Sequence, residues 1–423
     1  MRKSTSPRRQ KGAVIVTTAL VLLFLLGFMG IALDFGHLFI VKTELQTAMD
    51  SCALSAAQEL DGQSTALTRA TNAGMTAGNL NRVNMQSTTW SGQGQIVAAD
   101  ITFRDSAYAV TTTPAAARYA QCQHTQSNVV TRLLQAMGGF TGDTAANPAT
   151  RPVAAMAVAT RASAQTTCPI PVAMKPKAGG TAPDYGFTVG EWVTLINAQN
   201  ASAGGEIGWA NLDGTNSASE TEAELNGHCG TRVGDTLGTP GVQTSVADVW
   251  NARFGIYKNT GSPAINHPDF TGYAYTAANW PAGFNAYNGT PGAGAPASAQ
   301  NFVTKRAAFA SCADTGTRVR GANSCESITG LSLNSFQDLA APGNTTGGHM
   351  QYGANRRIVT VPVINGAAQV IDYACMLMLQ PLTVPMSNVQ LEFRGNAGAA
   401  GSPCTTSGLP GGSAGPLVPV LVR

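Results

Sequence analysis

The chain has 423 residues, enough for two or three domains, and only 12% are charged, about half the share of roughly 25% in ordinary soluble domains. A net charge of +3 gives no large excess to attract phosphate, so a basic nucleic-acid binder is excluded. The 47 Gly and 22 Pro call for many loops, while 43% hydrophobic residues still permit a sizeable core, which excludes a charge-rich disordered tail and a coiled-coil rod.

The positive charge is uneven. Arg2, Lys3, Arg8, Arg9 and Lys11 precede any acid, the first of which is Asp34. Between them, residues 12–33 form a run of 22 residues without charge. As a helix this run spans roughly 33 Å, enough for a bilayer core of about 30 Å. A buried core helix is rarely apolar all round. A cleavable signal would have a shorter apolar run and a better small-x-small site than Gly30-Ile31-Ala32. The basic residues predict a cytoplasmic tail at 1–11, a membrane helix at 12–33 and an extracytoplasmic body beyond.

Leu38, Val41, Leu45, Ala48, Cys52 and Ala56 then recur at steps of three and four, so the helix should run on to about Asp61. Gly62 is a plausible stop. Ala66, Ala70, Ala73 and Ala77 mark a second helix closing near Gly78, which makes 34–80 a helical hairpin. Asp34 stands at the membrane exit, where a carboxylate is costly unless hydrated or paired. Ala48 and Ala56 lie on a small-residue stripe that lets helices approach closely. Together they predict a docking element for another membrane component or a second copy of the chain.

Eight cysteines occur without any CxxC spacing, so zinc clips and dithiol redox motifs are not expected. An even number in an exported chain suits disulfides, although sequence leaves 105 pairings open. Pairing of near neighbours gives Cys52–Cys122, Cys168–Cys229, Cys312–Cys325 and Cys375–Cys404; buried free thiols are the alternative.

The segment QKGAVIVTTALVLLFLLGFMGIALDFGHLFIVKTELQTAMDSCALSAAQEL resembles the amino-terminal segment of TadG-like proteins of the Tad (Flp) pilus assembly system. The elements of the likeness are Gly12 where the chain enters the membrane, Asp34-Phe35-Gly36, Phe39, Leu45-Gln46, Ala48, Asp50 and Ala53-Leu54, over about residues 8–60. A weaker likeness continues to Cys168-Pro169-Ile170-Pro171, and residues 172–423 carry only a loose one. The resemblance implies a single-pass inner-membrane accessory component, a membrane lipid environment, and contacts with other Tad pilus components or with itself. Pilins of this system carry Glu five residues after the membrane-proximal Gly, where this chain has Thr17, so peptidase processing and polymerisation into the fibre are not expected. Many TadG proteins also end in a von Willebrand A-type domain with a D-x-S-x-S metal site. The nearest string, Asp213-Gly214-Thr215-Asn216-Ser217, follows a poor buried strand (GWANL) and reads as a polar turn.

The remaining sequence predicts an α+β protein whose exported body is β-rich and disulfide-containing, in a first region at 86–171 and a second at 172–423. Strand-like runs occupy 96–103, 153–160, 191–196, 357–364, 369–379, 389–393 and 417–422. Asn365-Gly366 marks a hairpin turn, and Pro362 should place its strand at an edge. Residues 129–137 read as a short helix. Residues 255–296 read as a decorated loop region whose Phe270, Tyr273, Tyr275, Trp280, Phe284 and Tyr287 could form a ligand-binding face, the basis of an adhesin alternative. An anchored hydrolase is a further alternative. However, the G-x-S-x-G match at 411–415 lies in a flexible linker rather than between strand and helix. His37, His124 beside Cys122, and His228 beside Cys229 lack further ligands. No P-loop, dinucleotide fingerprint or HExxH occurs. The expectation is therefore a non-enzymatic protein without metal or cofactor and without nucleic-acid partners.

Overall fold

The computed structural model describes residues 11–85, 95–199, 203–227, 230–239, 246–258, 263–312, 325, 330–331, 333, 336, 338–340, 348–410, 412 and 414–422. The chain forms two compact units, residues 1–162 with 419–423, and residues 163–418.

The first unit is built on α1, a single helix of 48 residues, Lys11–Gln58, roughly 72 Å long at about 1.5 Å per residue. No proline interrupts it, and Gly62 (φ 81°) helps turn the chain into α2, Ala66–Asn79. The face that α2 buries consists of Ala66, Ala70, Gly74 and Gly78, one residue every turn and all small. A short 3-10 turn then leads into β1 (Ile101–Arg104), followed by β2 (Tyr119–Val130), the ten-residue α3 (Arg132–Thr141) and β3 (Thr150–Thr166). The order β1-β2-β3 is antiparallel, with Ile101 opposite Cys122 and Cys122 opposite Ala157. The core joins Val41, Leu45, Ala48, Cys52 and Ala56 of α1 to Ile101, Phe103, Ala155, Ala157 and Ala159 of the sheet.

In the second unit, β4 (Val172–Met174), β5 (Trp192–Gln199) and β6 (Ile207–Trp209) precede helices α4 (Ala218–Leu225) and α5 (Val246–Ala252). Then come β7 (Ile256–Tyr257), α6 (Phe302–Ala307), β8 (Asp338–Leu339) and α7 (His349–Tyr352). The chain continues through β9 (Ile358–Ile364), β10 (Val370–Met378), β11 (Val389–Asn396) and β12 (Thr405–Pro410), and β13 (Leu417–Leu421) belongs from Pro419 onward to the first unit. A six-stranded barrel closes in the order β10-β11-β5-β6-β4-β9. Its interior is filled by Val172, Met174, Val193, Leu195, Val361, Met376, Leu391 and Phe393, with Trp209 and Trp250 beside them.

Several sequence expectations need correction. Pro362 is not on an edge strand, since β9 lies between β10 and β4. The pairing of β9 with β4 is limited to Met174 opposite Val363, so closure there makes little demand on the missing Pro362 N–H. The β9–β10 hairpin exists, but its turn is longer than a two-residue Asn-Gly turn. Asn365 Oδ1 accepts from Ala367 N (2.9 Å) and Gln369 N (3.1 Å), and the positive φ falls at Ala368 rather than Gly366. In the 96–103 run, Asp100 Oδ2 accepts from Val97 N (2.9 Å) and curls residues 98–100 into the 3-10 turn, which leaves a strand of four residues. The GWANL string begins in a fully buried strand, β6, contrary to expectation. The aromatic residues of 255–296 are mostly core: Tyr273, Tyr275 and Trp280 are buried and pack edge-on to one another. Their burial takes three of the six residues out of the expected ligand-binding face, while Phe284 stays exposed.

Candidate functional site

Helix α1 of the first unit carries the motif residues along its length. Gly12 lies in the first turn of α1. Above it, Leu20, Phe24 and Phe28 are 63%, 66% and 57% exposed, as a lipid-facing helix requires. Among the described residues one helix is long and apolar enough to cross a membrane.

Asp34 interrupts the exposed stretch. It is only 7% exposed, and its Oδ2 accepts a hydrogen bond from Leu134 N at 2.6 Å. Leu134 is the third residue of α3, and the residue before that helix, Thr131, supplies no side-chain cap. Asp34 is thus the cap of α3, delivered from 100 residues upstream. A carboxylate is favoured there by the free amide and by the positive end of the helix dipole. The expectation that Asp34 waits for an external partner is corrected: its partner is in the same chain. Asp34→Ala should loosen α3 at a cost of about 1–2 kcal/mol, whereas Asp34→Asn keeps an accepting oxygen and should retain most of the docking. Amide hydrogen exchange at residues 132–141 reads both variants. Equal protection in Asp34→Ala and the parent would refute the cap.

The Leu45-Gln46-x-Ala48-x-Asp50 string fixes α1 to its own unit. Leu45 is fully buried. Gln46 Nε2 donates to Met156 O on β3 (3.0 Å) and to Asp50 Oδ1 (2.8 Å), so Asp50 holds the amide that bridges helix and sheet. Ala48 and Ala56 are fully buried against α2. A Cβ on Gly78 would sit 3.2 Å from Ala48 O and against the Ile96 side chain, and one on Gly74 would sit 3.3 Å from Ala56 Cβ. The stripe is therefore filled by α2 of the same chain, which corrects the expected external helix partner. Gly36 behaves differently, since a Cβ there would meet nothing within 4 Å. Beside it, Phe35, Phe39 and Ile40 are exposed.

Disulfides reinforce both units. Cys52–Cys122 joins α1 to β2 across 70 residues. Cys312–Cys325 and Cys375–Cys404 lie in the second unit. The expected Cys168–Cys229 pair involves Cys229, which lies outside the described residues, as do His228, Gly411 and Ser413. His37 bonds Asn84 (2.8 Å) and His124 bonds Asp100 (3.0 Å), each a local partner. Asp213 Oδ1 accepts from Thr215 N (2.9 Å) and Thr215 Oγ1 (2.7 Å), closing a turn.

Sequence reasoning missed the buried polar groups of the second unit. Asp269, fully buried, accepts from Arg356 N (2.9 Å) and Arg357 N (3.0 Å) and pairs with Arg306. The Arg357 guanidinium donates to Met378 O, Thr271 O and Tyr273 O and lies 4.2 Å from the Phe254 ring centroid. Burial pushes Arg357 down to about 10, still charged at neutral pH. Glu392 accepts from Trp192 Nε1, Ala286 N, Tyr287 N and Arg394, pinning the 285–287 loop to β11; burial raises its pKa. No single residue announces such pairings, because many of them join positions about 80 to 200 apart.

His349 is also fully buried, with its Nδ1 bonded to Asp269 O at 2.7 Å. Burial lowers its pKa from the ordinary 6.5. The folded unit therefore binds fewer protons than the unfolded chain below about pH 6.5. Its contribution to stability is intact above that pH and falls as acid charges the unfolded imidazole. The denaturation midpoint should drop on acidification, and His349→Asn should flatten that drop; an unchanged slope would contradict the assignment.

Residues 12–59 match the family described as Putative Flp pilus-assembly TadE/G-like. The amino-terminal segment is TadE/G-like. The matched stretch is α1 from its membrane end to its last turn, and it contains Asp34, Gly36, Leu45, Gln46, Ala48, Asp50 and Ala56. A Tad-type segment suggests involvement in the Tad pilus system. No curated protein and no solved structure matches the chain.

Proposed function

We propose that the chain is an accessory or assembly component of the Tad pilus system, anchored in the inner membrane with its amino end cytoplasmic and its body extracytoplasmic. The observation that carries this reading is the division of labour within the TadE/G-like helix. Its lower half exposes most of its apolar side chains, and its upper half is part of the core of a folded unit. An anchor continuous with the first unit fixes that unit's height and orientation at the membrane, which a flexible tether cannot do. On this reading the protein works by contact rather than by catalysis and has no nucleic-acid partner.

Above Asp34, Phe35, Phe39 and Ile40 form an apolar surface that the chain itself leaves open around Gly36. This face would meet other pilus components in the membrane or periplasm, or a second copy. A photo-cross-linker at position 39 in piliated cells should trap a Tad component, and an export-dependent reporter fused after residue 62 should be active. An inactive reporter would overturn the topology. An active reporter with no protein cross-link would overturn the docking role.

A further inference from the structure

The hairpin between β2 and β3 does not end in a simple turn. Its tip is α3, which lies beside the part of α1 assigned to the membrane. Asp34 holds the start of α3. Below that point, a Cβ on Gly30 would sit 3.1 Å from Leu133 Cβ, and one on Gly27 would sit 3.9 Å from Met137 Sδ. Gly30 and Gly27 are four and seven residues before Asp34, so these contacts lie roughly 6 and 10 Å deeper along the helix axis. That depth equals the burial of about 5–10 Å typical of helices lying in a bilayer interface.

The composition of α3 fits the same place. Leu133 and Met137 lie toward α1, Leu133 remains 42% exposed, and Arg132 is exposed at the end nearest Asp34. Between the two helices an apolar cleft of about 440 Å³ opens, lined by Leu23, Gly27, Phe28, Leu133, Ala136 and Met137 among others. In water this cleft would be an exposed apolar patch without cover. Beside a membrane-spanning segment, its surroundings are hydrocarbon.

We propose that α3 is an interfacial helix seated in the extracytoplasmic leaflet, that lipid acyl chains fill the cleft between α3 and α1, and that Arg132 lies at the level of the lipid phosphates. The inference rests on the membrane-anchor reading of residues 12–33. It gives the first unit a second membrane contact beside α1, which would resist tilting and rotation of the anchor. It also gives a reason for a buried carboxylate at the membrane exit: Asp34 caps a helix whose end lies where water is scarce.

The test uses the full chain in nanodiscs of phosphatidylethanolamine and phosphatidylglycerol, with its disulfides intact. A nitroxide is carried by an unnatural residue at position 133 or 136, with position 24 as the lipid control and position 76 on α2 as the water control. Collisions with oxygen should outweigh those with a water-soluble nickel complex at 133 and 136, as at 24, and the reverse should hold at 76. Asp34→Ala should move position 136 toward the aqueous value. If 133 and 136 behave like 76 while 24 reports lipid, the interfacial helix is refuted and the anchor stands. If 24 also reports water, the anchor reading fails and the inference with it.

Discussion

Arg357→Leu is expected to bring the second unit close to unfolding, at a cost of about 4 kcal/mol. The substitution leaves Thr271 O, Tyr273 O and Met378 O without their donor in a buried setting, and each buried unpaired group costs about 1–3 kcal/mol. It also removes a cation from the Phe254 ring and leaves the Asp269 carboxylate, which already pairs with Arg306, short of a neighbouring positive charge. Domains of this kind retain only about 5–15 kcal/mol in total. Arg357→Lys keeps the charge but not the planar fork, so it should fall between the two. Denaturant unfolding followed by tryptophan fluorescence suits the question, because Trp209, Trp250 and Trp280 are all buried in this unit. A loss below about 1 kcal/mol would show that the loop at 271–273 is held by something other than this guanidinium.

Replacing both Ala48 and Ala56 by leucine should destabilise the first unit by about 2 kcal/mol per site, through overpacking. The added carbons have nowhere to go, because Gly74 and Gly78 of α2 already touch this face of α1. The decisive point is where the damage appears. A stripe that received an external helix would leave the purified protein unharmed and weaken only its association with a partner. A stripe filled by α2 predicts instead that the purified double variant loses α2 protection and is cut by protease after residue 58, with no partner present. Full stability of the purified variant together with lost co-purification would restore the external-partner reading.

The two α1 features that needed correction show where sequence stops being informative. The periodicity of Leu38, Val41, Leu45, Ala48, Cys52 and Ala56 is local, so the helix and its buried face could be read directly, as could the α2 stripe. What fills the face could not, since small residues look the same whether the neighbouring helix belongs to this chain or another. Asp34 is similar. Its cost at the membrane boundary was legible, but Leu134 N lies 100 residues away. The β2 strand was missed because YAQCQHTQSNVV mixes polar residues into both faces and its burial follows no clean alternation. The barrel needs parallel contacts of β5 with β6 and of β4 with β9, which leave no local mark. Among the aromatic loops, composition indicated exposure, yet Glu392 and Arg357 draw the segment onto the barrel through hydrogen bonds to its backbone.

The central claim is that a TadE/G-like anchor, continuous with the folded body, serves Tad pilus assembly. Counting surface pili in a strain that lacks this chain tests it most directly, with the strain complemented either by the full chain or by residues 34–423 exported behind a cleaved signal. The account predicts few or no pili without the chain, restoration by the full chain, and no restoration by the exported body alone. Normal piliation in its absence, or full restoration by the unanchored body, would contradict it.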